Sequence, residues 1–249
     1  MSFAALVLAG TRPEGDPLAR ELGVAHKGLI ELAGLPLLAR VVEGLNGAGA
    51  ARVLVACDEG PVADLARRLG CEVCQAHPAG PSASVRQAFA ATGAPLVVTT
   101  VDHALLRPEW VRQLLADTPA GADLAVMLAE RARVEAAVPG TRRTWLRFAD
   151  GHWSGCNLFH LSTPAAVGAI DLWQRIEADR KRPWRIVTGL GPGTLLAYAF
   201  GRLTLAEGLA RLGRRIGLEV ALVAARDGRA AVDVDKPGDL ADVRRLLAR

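Results

Sequence analysis

Short apolar runs at residues 4–8, 52–57, 71–76, 95–101 and 123–128 alternate with amphipathic stretches through the first half of this chain. Runs this short and this apolar read as strands covered on both faces, the mark of a parallel sheet rather than a half-wetted antiparallel one. Between the first two, Leu37, Leu38, Val41, Val42 and Leu45 form a helical stripe that opens at Pro36 and ends near Gly47. Further helices are expected over 62–69, 85–91 and 108–115, with Ser82 or Ser84 capping the second of these. Parallel strands need crossover connections of one hand, so the alternation predicts a doubly wound α/β sheet. The chain is 51% apolar over 249 residues, ample for one sizeable core and against disorder.

The second half changes character. Residues 145–148 and 153–159 read as a hairpin about Asp150-Gly151. Helical segments follow at 165–182, at 185–200 (interrupted by Gly189, Gly191, Pro192 and Gly193) and at 205–217. A strand returns over 219–224 before a C-terminal helix. With no linker, repeat or low-complexity stretch, the chain is expected to be a single domain over 1–249. Its first half would span 1–130, an insertion 140–218, and a closing strand and helix 219–249.

Net charge is +4 and the isoelectric point is near 9.2, which suits an anionic small molecule but is too mild and dispersed for nucleic acid. No apolar run reaches membrane-spanning length, so no transmembrane anchor is expected, and the N-terminus reads as a strand rather than a leader. Cys57, Cys71, Cys74 and Cys156 include one CxxC pair, Cys71-Glu-Val-Cys74, with no second pair to complete a zinc site. Structural cysteines in a reduced cytoplasm account for them. His26, His77, His103, His152 and His160 show no metal-ligand spacing.

The first strand runs into a glycine loop: Leu8-Ala9-Gly10-Thr11-Arg12, then on to His26-Lys27-Gly28. Glycine lets backbone N–H groups approach a phosphate closely, and Arg12 and Lys27 would add positive charge. An ordinary strand-to-helix loop would look similar. Lysine usage bears on the choice, since Lys27, Lys181 and Lys236 are the only lysines in a chain otherwise served by arginine. Asp102 ends the most buried-looking strand, where open α/β sheets bind ligands and where a carboxylate can hold Mg²⁺; the plain alternative is a turn cap. Asp233 and Asp235 form a second acidic group, explicable on its own as a strand end leading into a helix N-terminus. The densest basic run, Asp179-Arg180-Lys181-Arg182, reads as a solvated helix end or as a clamp for a phosphate.

The opening resembles the nucleotidyltransferases of the molybdenum cofactor guanylyltransferase type, the MobA-like NTP transferases. Their signature runs roughly LAGG, a basic residue, then DKGLLEL-x-G-x-PL. Here Leu8-Ala9-Gly10, Arg12 and His26-Lys27-Gly-Leu-Ile-Glu-Leu-Ala-Gly34-Leu-Pro36-Leu37 follow it. The second glycine is replaced by Thr11, the acidic residue before the lysine by His26, and the loop from Gly10 to Lys27 is longer than the family's. Val101-Asp102-His103-Ala104-Leu-Leu is similar to its D-x-P-L-L element, and Asp233-Val-Asp235-Lys-Pro-Gly-Asp-Leu to its closing D-I-D-T-P-E-D-L.

The resemblance implies a GT-A-like, Rossmann-type α/β fold with an inserted hairpin and helices, working as a Mg²⁺-dependent nucleotidyltransferase. An NTP and a phosphate-bearing small molecule would be joined with release of pyrophosphate. Arg12, Lys27 and Asp102 would be catalytic. Leu8, Ala9, Gly10, Thr11, Gly80, Ser82 and Ser84 would contact the nucleotide. Asp102 and Asp235 would hold the metal, with Asp233 the alternative to Asp235. Asn157, Arg180, Lys181 and Arg182 would face the acceptor. A GT-A glycosyltransferase, which would not need Lys27, and a non-catalytic nucleotide-binding protein, consistent with Thr11 and Ala104, are the other readings.

Overall fold

The computed structural model describes residues 2–11, 14–178 and 191–248. Eight strands make one sheet in the order β10-β7-β9-β6-β1-β4-β5, with β8 attached to β9. The first-half strands are β1 (Phe3–Leu8), β4 (Ala50–Cys57), β5 (Glu72–Gln75), β6 (Leu96–Thr100) and β7 (Leu124–Glu130). Later come β8 (Leu146–Phe148), β9 (Gly151–Leu161) and β10 (Val220–Ala224), while β2 (Glu31–Leu32) and β3 (Leu35–Pro36) pair in a small ribbon apart. Every neighbouring pair in the main sheet is parallel except those that β9 makes, as it runs antiparallel between β6 and β7. The predicted mostly parallel α/β sheet is therefore what the chain forms, and the hairpin closes where expected, with Phe148 opposite Gly151.

The apolar runs are continuous because both sheet faces are covered. Side chains alternate along β1 with the strand period of two. Phe3, Ala5 and Val7 enter one core with Leu38, Val42, Val111 and Leu240, while Leu6 enters the other with Leu54, Val85, Leu96 and Ile170. The first core lies under α2 (Leu37–Ala48), α5 (Pro108–Asp117) and the C-terminal helix α10 (Pro237–Leu247). The second lies under α4 (Pro81–Thr92) and α7 (Val167–Ala178), which Arg86 and Asp171 also join by an ion pair. Helices α1 (Pro17–Glu21), α3 (Pro61–Arg68), α6 (Arg131–Ala137), α8 (Pro192–Ala199) and α9 (Leu205–Arg215) complete the described elements.

Several local expectations differ from the structure. The stretch read as a loop from Gly10 to Lys27 holds the short helix α1, capped by Asp16. The strand end expected before Asp233 and Asp235 is a 3-10 turn, Gly228–Ala231, followed by irregular chain. Helix α4 begins at Pro81, with Gly80 as its N-cap and no side-chain cap, so Ser82 and Ser84 lie inside its first turn rather than capping it. Proline at the first helical position has no N–H to leave unpaired, which is why the helix starts there rather than at Val85. Pro36 likewise precedes α2 at its N-cap and pairs with Glu31 instead of opening the helix. Helix α6 has no counterpart among the sequence expectations; only Val134 of it is fully buried, so it carries almost no apolar periodicity. All four cysteines are free, and burial pushes the Cys57 and Cys71 thiols up to about 11, far from the reactive range.

Candidate active site

Lys27 opens a single 3-10 turn, Lys27–Leu29, held from the residue before it. The His26 ring accepts from the Gly28 N–H at 2.9 Å through Nδ1, which assigns the ring proton to Nε2, 2.8 Å from the Ala9 carbonyl. One neutral imidazole thus fastens the lysine turn to the end of β1, and burial keeps its pKa below the usual histidine value despite the Ala9 bond. Gly28 has no room for a side chain: a Cβ there would stand 2.9 Å from a Val101 methyl. The histidine that departs from the family's motif is therefore a structural strut.

Three carboxylates surround the lysine. Its Nζ lies 2.7 Å from Asp235 Oδ1, 3.3 Å from Asp102 Oδ2 and 3.3 Å from Asp16 Oδ2. Asp102 follows β6, and its second oxygen accepts from the Thr100 hydroxyl. Its carbonyl accepts from the Val234 N–H at 3.0 Å, so the main chain itself joins the two acidic segments. Asp235 is set by Asp239, a buried carboxylate that accepts from the Asp235 and Lys236 N–H groups at 3.1 and 3.2 Å as α10 begins. Asp16 accepts from Ala19 N–H at 2.9 Å through Oδ1 and so caps α1.

Burial alone would pull the lysine toward neutrality, but Asp102, Asp235 and Asp16 outweigh it and hold its pKa above the usual lysine value. Burial lifts the Asp102 carboxyl above its ordinary range, against the pull of Lys27 and Thr100. Asp235 also feels burial, yet its bond to Lys27 and the charge of Arg143 leave it below the usual value. Three carboxylates against one ammonium leave the cluster with an excess of negative charge. No group of three or more His, Cys, Asp or Glu side chains arranged to hold a metal unaided occurs among the described residues.

Asp233 belongs to a neighbouring cluster. Arg143 Nη1 lies 2.6 Å from its Oδ1, and Asn157 Nδ2 donates to its Oδ2 at 3.0 Å. Asn157 has φ of +49°, at the point where the β7–β9 register slips between Val126 and Leu128. Asparagine tolerates that left-handed backbone better than most residues, so the bulge and the bond to Asp233 both favour it.

Of the residues singled out in the sequence, Lys27, Asp102 and Asp235 come together, with Asp233 and Asn157 paired beside them. Gly10 and Thr11 are exposed past the end of β1, whereas the Leu8 carbonyl and Ala9 N–H are used in pairing with Val101 and Ala56. Ser82 donates its hydroxyl to Glu177, and Ser84 Oγ accepts from the His77 N–H at 2.9 Å, so both hydroxyls have protein partners. Arg12, Arg180, Lys181 and Arg182 lie outside the described residues. Sequence reasoning passed over Asp16 and Arg143. The pair Asp16-Pro17 is a helix-start signal that would have found the first; Arg143, one arginine among many, carried none.

An α/β sheet with a lysine turn at the end of its first strand and two aspartate-bearing tips around that lysine defines the class, and the chain belongs to the MobA-like NTP transferase domain family, whose match spans residues 5–178. A hypothetical transferase from Thermus thermophilus shares 31% sequence identity with it at a TM-score of 0.81, over 96% of this chain and 100% of that one. Among curated proteins, the 3-deoxy-manno-octulosonate cytidylyltransferase of Pasteurella multocida (strain Pm70) is 36% identical over 112 residues, 43% of this chain and 39% of that protein. That of Haemophilus influenzae (strain PittEE) is 32% identical over 46% of this chain and 44% of that one, so the chain matches less than half the length of either. A 2-C-methyl-D-erythritol 4-phosphate cytidylyltransferase, also from Thermus thermophilus, shares the fold, at a TM-score of 0.53, 17% identity, and full coverage of both chains (100% each). No helix among the described residues is long and apolar enough to cross a membrane.

Proposed function

We propose that this chain is a Mg²⁺-dependent nucleotidyltransferase that moves an NMP unit from an NTP to a phosphate-bearing small molecule and releases pyrophosphate. The observation that carries the reading is the convergence of Lys27, Asp102 and Asp235 on one point from distant parts of the chain, beside the loop that follows β1.

The donor set suits the metal. Mg²⁺ takes hard oxygen ligands, one or two carboxylates plus phosphate oxygens and water, and Asp102 and Asp235 supply two carboxylates with charge to spare. Bound there, the ion would neutralise charge on the reacting phosphates. Lys27, held charged by its neighbours, would pair with the triphosphate, and Arg12 would add a second cation from the same loop. The acceptor needs no base, because its phosphate oxygen is already ionised. That oxygen attacks the α-phosphorus in line, the bond from the α-phosphorus to the bridging oxygen breaks, and the electron pair leaves on pyrophosphate. Such chemistry rests on positioning and charge compensation, which the ends of two central strands, β1 and β6, provide.

The curated relatives are named cytidylyltransferases, so CTP is the first nucleotide to test. Their 3-deoxy-manno-octulosonate favours a second reading of the acceptor, a sugar acid in place of a phosphate ester. The experiment is pyrophosphate release from CTP, GTP, ATP and UTP, with Mg²⁺ or EDTA, across panels of sugar phosphates, polyol phosphates and sugar acids. Metal-dependent release with one nucleotide and one acceptor class is expected; nucleotide binding with no turnover on any acceptor would favour a non-catalytic binding protein.

A further inference from the structure

We propose that Asp16 is a positioning residue: it keeps the Lys27 ammonium anchored so that Asp102 and Asp235 are available to a divalent cation, an inference that rests on the metal reading above.

The argument is one of competition. Lys27 and a metal ion would draw on the same two carboxylates, since its Nζ sits 2.7 Å from Asp235 and 3.3 Å from Asp102. The lysine side chain is only 11% exposed, so an ammonium stripped of both partners would be a poorly solvated charge competing to win them back. Asp16 is the third partner, at 3.3 Å, and it alone comes from neither the end of β6 nor the segment leading into α10. Its place is fixed without reference to a metal. Oδ1 is spent on the Ala19 N–H, and α1 is moored by Leu18 and Ala19, both buried, which leaves Oδ2 facing the lysine.

The test is a double-mutant cycle read by Mn²⁺ binding without substrate, following the free-ion signal by electron paramagnetic resonance. Asp16→Asn removes the charge but keeps a good helix cap, so the unfolding midpoint should stay within about 2 °C of wild type. With Lys27 present, Asp16→Asn should weaken Mn²⁺ binding about tenfold, as the released ammonium competes for Asp102 and Asp235. In a Lys27→Gln background, or Lys27→Ala should the first not fold, the same change should cost less than about twofold, because no competitor remains. An equal loss in both backgrounds would mean that Asp16 acts on the ion directly and overturns the proposal. No loss in either overturns it as well. Wild-type protein that binds no Mn²⁺ sinks the metal reading itself, and this inference with it.

Discussion

The carbonyl of Asp102 accepts a hydrogen bond from the amide of Val234 at 3.0 Å, which stitches the end of β6 to the segment carrying Asp233 and Asp235. Because this bond is main chain to main chain, it survives any side-chain replacement at either acidic position. Substitutions there should accordingly change charge without scattering the site.

Lys27→Ala and Asp102→Asn should each lower pyrophosphate release by a hundredfold or more, about the loss seen when one charge-stabilising group is removed from a transition state. Lys27→Ala should also lower stability, since it leaves the half-buried Asp102 beside Asp235 with no ammonium between them. Turnover assays and urea unfolding on the same preparations separate the two effects. Near wild-type turnover in either variant refutes the role given to that residue.

The Arg143–Asp233 pair has side chains only 9% and 15% exposed. Arg143→Met would strand the Asp233 carboxylate with Asn157 as its remaining partner, at a cost of about 3 kcal/mol in chemical denaturation. Adding Asp233→Asn should restore most of that loss, because no unpaired charge is left. A double variant no more stable than Arg143→Met would show that packing of the guanidinium, not charge, was what mattered.

His103 is buried and stacks on Trp110, and burial lowers its pKa to about 4. The unfolded chain therefore takes up a proton that the folded one refuses. Stability from this group is complete above pH 6.5 and is lost as pH falls toward 4, by up to about 3 kcal/mol. His26 is also held below its usual value and adds in the same direction. Thermal unfolding followed from pH 7.5 to 4 (roughly the span over which histidines charge) should steepen below pH 6.5, and a His103→Gln variant should be flatter there. An unchanged slope in that variant would remove His103 from the account.

Gly228 lies in the short turn Gly228–Ala231, where a Cβ would meet the Arg133 carbonyl oxygen at 2.1 Å. That neighbour is backbone of α6 and cannot rotate away. Gly228→Ala should cost about 3 kcal/mol or more and, by shifting the approach to Asp233 and Asp235, lower turnover beyond what unfolded protein explains. Full activity in the folded fraction would confine the effect to stability.

How much of this was legible in the chain depends on the range of the forces involved. The β1 run is apolar because two cores claim alternate side chains, so local pattern and tertiary structure agree. Asp102 was readable as the end of a buried strand, and Asp235 from its place before Lys-Pro. The Arg143–Asp233 pair was not, since residues so far apart meet only after the sheet closes. Helix α6 escaped because its arginines and alanines leave one buried position to find. The start of α4 was lost to a loop-like Gly80-Pro81, which punctuates a loop and opens a helix equally well.

Strand β9 gives the molecule an order of assembly. It fills the gap between β6 and β7, and among the described residues β7 is paired into the main sheet through β9 and β10 alone, both encoded later. A truncated protein ending after β7 would carry one raw strand edge on β6 and a seventh strand with nothing to zip against. Ribosome-bound chains of that length should therefore be protease-sensitive and prone to clump, and the lysine site should form only once the C-terminal residues have arrived.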